Sequence, residues 1–173
     1  MKGREMKGIL FKPDMIKAIA EGRKTQTRRL DGLKEINKEP NAWTYHPGCS
    51  FPKLGRFTFW FDNQKPYHGE TGVTVCKPRY RIGEVVYIKE AWATYIQDDS
   101  LKPSQIPEHY RIWYKTDDSG ELSKYRGKWR SPLFMPEWAA RYFIKLLDVR
   151  PESWSHNDWV WRIEFQRITH PGK

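Results

Sequence analysis

The stretch Glu21-Gly22-Arg23-Lys24-Thr25-Gln26-Thr27-Arg28-Arg29 sets four cations and two hydroxyls in nine residues, directly behind a short apolar helix pattern. Clustered like charges repel, so such a cluster calls for an anionic partner or a chemical task. Thr25 to Leu30 suits a strand, with Thr25, Thr27 and Arg29 on one face and Gln26, Arg28 and Leu30 on the other. Lys24 has the wrong parity to share the Thr27 face. It can join that face only from a turn that follows Gly22. Spacing alone fits a solvated basic strand equally well.

Upstream, Gly8-Ile9-Leu10-Phe11 reads as a first strand. Pro13 suits the first helical position and Asp14 the positive end of the helix dipole. Met15, Ile16 and Ile19 fall on one face, and Gly22 stands where a C-terminal cap glycine belongs, so a helix is expected over Pro13–Glu21. Downstream, residues 31–55 are rich in glycine and proline and read as a long surface excursion with one helical turn.

The segment 56–61 alternates with Phe57, Phe59 and Phe61 on one side, a strand whose hairpin partner is Val73-Thr74-Val75 across a turn at 69–72. Val85 to Trp92 is the most convincing strand of the chain. Glu90 shares its Val86 and Ile88 face, where a carboxylate needs a cationic partner unless it looks into water. Residues 111–115 return as a strand, 117–120 as a turn, and 135–141 as one helical turn before a strand over Tyr142–Val149. Strict alternation closes the chain, with Trp159, Trp161, Ile163 and Phe165 on one face.

With 173 residues the length fits one domain over 1–173, and nine Trp, nine Tyr and eight Phe supply large buried areas per side chain. The formal charge of +10 favours contact with phosphates or nucleic acid. Residues 1–38 hold eleven Lys or Arg against five Asp or Glu, so +6 of that charge lies in the first fifth. Cys49 and Cys76 form no CxxC or Cys-His pattern, which argues against a disulfide scaffold and a zinc site. No apolar run approaches the roughly 20 residues that cross a bilayer. A cytoplasmic protein without membrane contact, metal or cofactor is expected.

Three motifs in order carry a resemblance: Gly22-x-Lys24-x-x-Thr27-x-Arg29, then Gly83 to Trp92, then the Gly-Lys-Trp-Arg…Met-Pro-x-Trp-Ala-x-Arg segment over 127–141. In this order they resemble an ASCH domain of the PUA-like superfamily, in a phage or prophage type of member. The resemblance spans Ile9 to Ile168. It implies an α+β, mainly β fold: an antiparallel β-barrel with a short N-terminal helix, flanking loops and short helices. The Thr-containing signature is similar to that of N4-acetylcytidine amidohydrolases, which release an acyl group from the exocyclic amine of cytidine. That implies Lys24 as general base, Thr27 as nucleophile and Arg29 as a site cation, with Arg23, Arg28 and Trp92 as further substrate contacts. The family's acid comes from a segment that is abbreviated here to 150–158. Glu152 is its one glutamate, and Glu90 is the preferred stand-in. The implied partner is a small nucleoside, an N4-acylcytidine, with RNA as a further partner.

A neutral lysine can deprotonate a threonine hydroxyl, and crowding by Arg23, Arg28 and Arg29 pushes Lys24 towards neutrality. An acid such as Glu90 can then protonate the leaving amine, while Arg29 steadies the developing oxyanion. The alternative is an RNA- or nucleic-acid-binding module without turnover, whose basic cleft holds phosphates and whose Trp43, Trp92, Trp129 or Trp138 stack bases.

Overall fold

The computed structural model describes residues 6–61, 72–108, 111–117, 124–154 and 158–170. They form a mainly β protein with a single α-helix among them. The chain divides into two compact units, each discontinuous. The first comprises Met1–Thr25, Val85–Ile144 and Arg167–Lys173, the second Gln26–Glu84 and Lys145–Gln166.

In the first unit β1 (Lys7–Leu10) leads into α1 (Pro13–Ala20). Ile16 and Ile19 bury the apolar face of the helix, and Pro13 opens it. The end is a Schellman turn. The Arg23 N–H donates to the Ala18 carbonyl at 2.8 Å and the Gly22 N–H to the Ile19 carbonyl at 3.0 Å. Gly22 takes a φ of 75°, which an L side chain rarely adopts. The expected helix and its cap glycine are both present. β1 pairs with β6 (Val85–Lys89) in parallel, Ile9 opposite Ile88. The strands were expected to be mainly antiparallel, and this pair is parallel; the connection between them carries α1 and residues 26–84.

The strand expected over Val85–Trp92 stops at Lys89 and resumes as β7 (Trp92–Ala93). β7 pairs with β8 (Trp113–Tyr114), which is shorter than the expected 111–115. The expected helical turn is a 3-10 turn at Glu137–Ala139. Trp92, Ile106, Met135 and Ala139 form a buried cluster, onto which Trp138 and Tyr114 pack. In the Gly-Lys-Trp-Arg segment, a Cβ on Gly127 would lie 2.2 Å from Asp99 Oδ1, while the Lys128 N–H donates to both Asp99 oxygens at 3.0 Å. Only glycine allows that carboxylate to lie so close to the backbone.

The second unit has two layers. β3 (Trp43–Tyr45), β4 (Phe57–Phe61) and β5 (Val73–Cys76) form an antiparallel sheet in that order. The hairpin of β4 with β5 was expected; the turn at 69–71 lies outside the described residues, as does 118–120. The excursion 31–55 holds the unexpected β3 and four 3-10 turns. β2 (Gln26–Arg29) pairs antiparallel with β10 (Trp159–Ile168), and β10 also neighbours β9 (Phe143–Ser153). Phe57 meets Trp161 at 4.9 Å and Phe59 meets Trp159 at 5.1 Å between ring centroids, so the inner faces of β4 and β10 pack together. No sheet among the described residues closes on itself, so the strands pair as open sheets rather than as a closed barrel.

Candidate functional site

The basic stretch straddles two environments. Lys24 belongs to the helix-ending turn, where its N–H donates to the Ala18 carbonyl at 3.1 Å, and β2 begins only at Gln26. This is the turn placement its parity requires. Arg23 is exposed and ion-paired with Glu21. Thr27 and Arg29 stand opposite Ile163 and Trp161, on the core side of β2, and Thr27 is 8% exposed. Burial pulls the Arg29 guanidinium below its ordinary value, opposed by the nearby Tyr80 and Asp31. Burial likewise pushes the Tyr80 hydroxyl up.

Glu90 lies at the strand break on the buried Val86–Ile88 side and is 1% exposed. Its cationic partner is Arg141, which grips it with Nε on Oε1 at 2.9 Å and Nη2 on Oε2 at 3.0 Å. Thr116 donates its hydroxyl to Oε2 at 2.6 Å and accepts from Arg141 Nη2 at 2.7 Å. Asp117 takes a further pair of donors from Arg141, whose guanidinium stands 4.0 Å over the Tyr114 ring and 4.7 Å over Tyr142. Burial works against the Arg141 charge, yet the bonds to Glu90 and Asp117 outweigh it and hold the group above its ordinary value. Both Glu90 oxygens are occupied. Such a bidentate buried pair shapes structure: three hydrogen bonds from Arg141 and Thr116 hold the Glu90 carboxylate in place.

Trp92 is fully buried, edge-on to Trp138 with ring centroids 5.9 Å apart. It offers no face to a ligand, which corrects its reading as a substrate contact. Trp138 is part of the same packing, and Trp43 packs edge-on against Phe61. Trp129 carries the Arg126 guanidinium 4.2 Å from its ring.

Arg28 leads elsewhere. It points to the outer side of β2, opposite Arg162 on β10. Its guanidinium lies 3.5 Å over the ring of Trp154, a residue that sequence reasoning passed over. Nη2 reaches Glu152 Oε1 at a long 3.3 Å, and the buried Nε makes no hydrogen bond. Around this pair opens a groove of about 480 Å³, lined by Arg28, Arg29, Leu30, Asp31, Trp154, Asp158 and Val160. Trp154 remains 45% exposed. The strand β9 continues through 150–153, the first part of the segment read as abbreviated, and this extension carries Glu152 to the outer side. The signal in the sequence was the alternation Glu152–Trp154 beyond Val149, interrupted by Pro151.

The groove combines a flat aromatic surface, a guanidinium with unspent donors and flanking carboxylates. It can stack a planar ring and hold an anion. No family model, no curated protein and no solved structure matches this chain.

Proposed function

We propose that the second unit binds a nucleotide, free or within single-stranded RNA, in the Arg28–Trp154 groove. One observation carries this reading: the Arg28 guanidinium stands 3.5 Å over the ring of a half-exposed tryptophan, with an unbonded Nε, in a groove of about 480 Å³. That volume is within the usual range of small-molecule sites. The base stacks on the Trp154 indole, and the in-plane N–H groups of Arg28 take the phosphate. The net charge of +10 supports an anionic ligand.

The signature Gly22-x-Lys24-x-x-Thr27-x-Arg29 favours a second reading, amide hydrolysis of an N4-acylcytidine by Lys24 and Thr27, the activity that the resemblance implies. Between the two candidate acids, Glu152 is then preferred, because it is partly exposed beside Arg28 while Glu90 is enclosed by Arg141 and Thr116. The burial of Thr27 opposite Ile163 weighs against a nucleophile, which supports binding as the first reading.

Two measurements test both readings on the full chain. Titration with cytidine monophosphate and with oligouridylate is expected to quench tryptophan fluorescence, with loss of the signal in Trp154→Ala. Wild-type affinity in Trp154→Ala overturns the groove reading. Incubation with N4-acetylcytidine is expected to yield no cytidine. Release of cytidine and acetate that stops in Thr27→Val restores the hydrolase.

A further inference from the structure

On the other side of the second unit, β5 is the edge of its sheet, and its four residues Val-Thr-Val-Cys are an unusual edge. Edge strands in soluble proteins are normally blunted by lysine, proline or a covering segment. Here Val73 is 44% exposed and Val75 42% exposed. They stand opposite Trp60 and Thr58, on the face of β4 turned away from the Phe57–Trp161 core. Trp60 is also exposed there, with His46 stacked on it at 4.0 Å and 21°.

The hydrogen-bond phase of the ladder decides which backbone groups are open. The Phe61 N–H donates to the Gly72 carbonyl at 2.8 Å, so Gly72, Thr74 and Cys76 turn their polar groups to β4. Val73 and Val75 therefore turn N–H and C=O outward. No described residue pairs with that edge.

Charge gives the surface a sign. The described stretches 40–61 and 72–83 contain Lys53, Arg56, Lys77, Arg79 and Arg81 and not one Asp or Glu. Arg56 has the parity of Trp60 on β4, and Lys77 follows β5 with the parity of Val75, so both stand at one end of this apolar face.

We propose that β5 receives an extended, acidic segment of a partner protein, which adds to the sheet as a further strand. The partner's backbone bonds to the outward N–H and C=O groups of Val73 and Val75. Its alternate apolar side chains cover Val73, Val75 and Trp60, and its carboxylates meet Arg56 and Lys77. A nucleic acid would use the cations and Trp60, but it has no use for a row of open backbone groups or for two valines. This site is independent of the Arg28–Trp154 groove, which opens on the opposite outer face of the unit.

The probe is an extended peptide of ten residues or so alternating valine with glutamate, beside its lysine counterpart and oligouridylate. Saturable binding of the acidic peptide below about 1 mM is expected, with amide shifts and slowed hydrogen exchange centred on Val73 and Val75. Val75→Pro removes an outward donor at a position that makes no bond to β4, so the sheet should persist while affinity falls at least about tenfold. Arg56→Glu with Lys77→Glu leaves the edge intact and should weaken the acidic peptide while improving the lysine one. The proposal is overturned by unchanged affinity in a folded Val75→Pro protein, by equal binding of both peptides, by no peptide binding, or by oligouridylate alone shifting the β5 amides.

Discussion

Arg141 and Arg28 are two versions of one assembly, a guanidinium over an aromatic ring beside a glutamate, and they end in opposite states. Around Arg141 the contacts are many and short: two bonds to the buried Glu90, one to Thr116, a further pair to the exposed Asp117, and two tyrosine rings. Around Arg28 the glutamate is 3.3 Å away, one nitrogen is unbonded and the ring is half in solvent. The difference lies in the supporting backbone. Glu90 follows two buried strand residues into the core, whereas Glu152 and Trp154 stand at the open end of a hairpin whose Trp154 N–H closes on the Asp158 carbonyl at 2.7 Å. An arginine held by five bonds to its neighbours stabilises a fold, and one with donors left over can hold a ligand.

The sharpest way to break this contrast is Glu90→Ala. It leaves the Arg141 charge half-buried without its main partner and should cost about 3–5 kcal/mol, read from urea unfolding. A loss under about 1 kcal/mol would make the two assemblies equivalent. Next in size, Trp154→Ala should weaken cytidine monophosphate by roughly 5- to 150-fold, the equivalent of about 1–3 kcal/mol of stacking, with unfolding almost unchanged. Calorimetric titration beside thermal melting separates the two effects.

Glu152→Gln should have a smaller effect of the opposite sign. Removing the competing carboxylate leaves the Arg28 donors to the phosphate, so affinity should rise a few-fold. A drop would make Glu152 a ligand contact rather than a competitor. The smallest effect is one of pH. The hydrogen bond from Arg141 holds the Asp117 carboxyl below its ordinary 3.8. Its contribution to stability is therefore complete above pH 3.8 and disappears as pH falls through the lower folded value. Asp117→Asn should flatten that part of the acid unfolding curve, and an unchanged curve would place the acid sensitivity elsewhere.

Much of the frame was legible because it rests on short-range chemistry. Pro13, the Ile16–Ile19 spacing and Gly22 define α1, and the alternation of Phe57 with Phe59 and of Trp161 with Ile163 defines two buried faces. A cationic partner for Glu90 was also legible, as the electrostatic demand of an apolar face, although its identity was not: Arg141 lies 51 residues away. The site was legible only in part. Arg28 stood in the quoted stretch, but Trp154 depends on β9 running past Val149 through Pro151, where a proline normally argues for an end. Trp92 misled because a motif tryptophan at a strand end looks the same in sequence whether buried or open. The three-residue β3 lies between Pro40 and Pro47, too short for any periodicity to show.

The pairing of β2 with β10 also sets a timetable. Gln26 and Arg162, which meet through a hydrogen bond, are 136 residues apart. A chain emerging from the ribosome at about 5–20 residues per second makes β2 several seconds before the strand that completes it. Through that interval Thr27 and its neighbours lack their partner, and the arginines at 28 and 29 keep the waiting segment charged. A cluster suited to gripping an anion in the finished protein thus also discourages the nascent strand from pairing with the wrong neighbour.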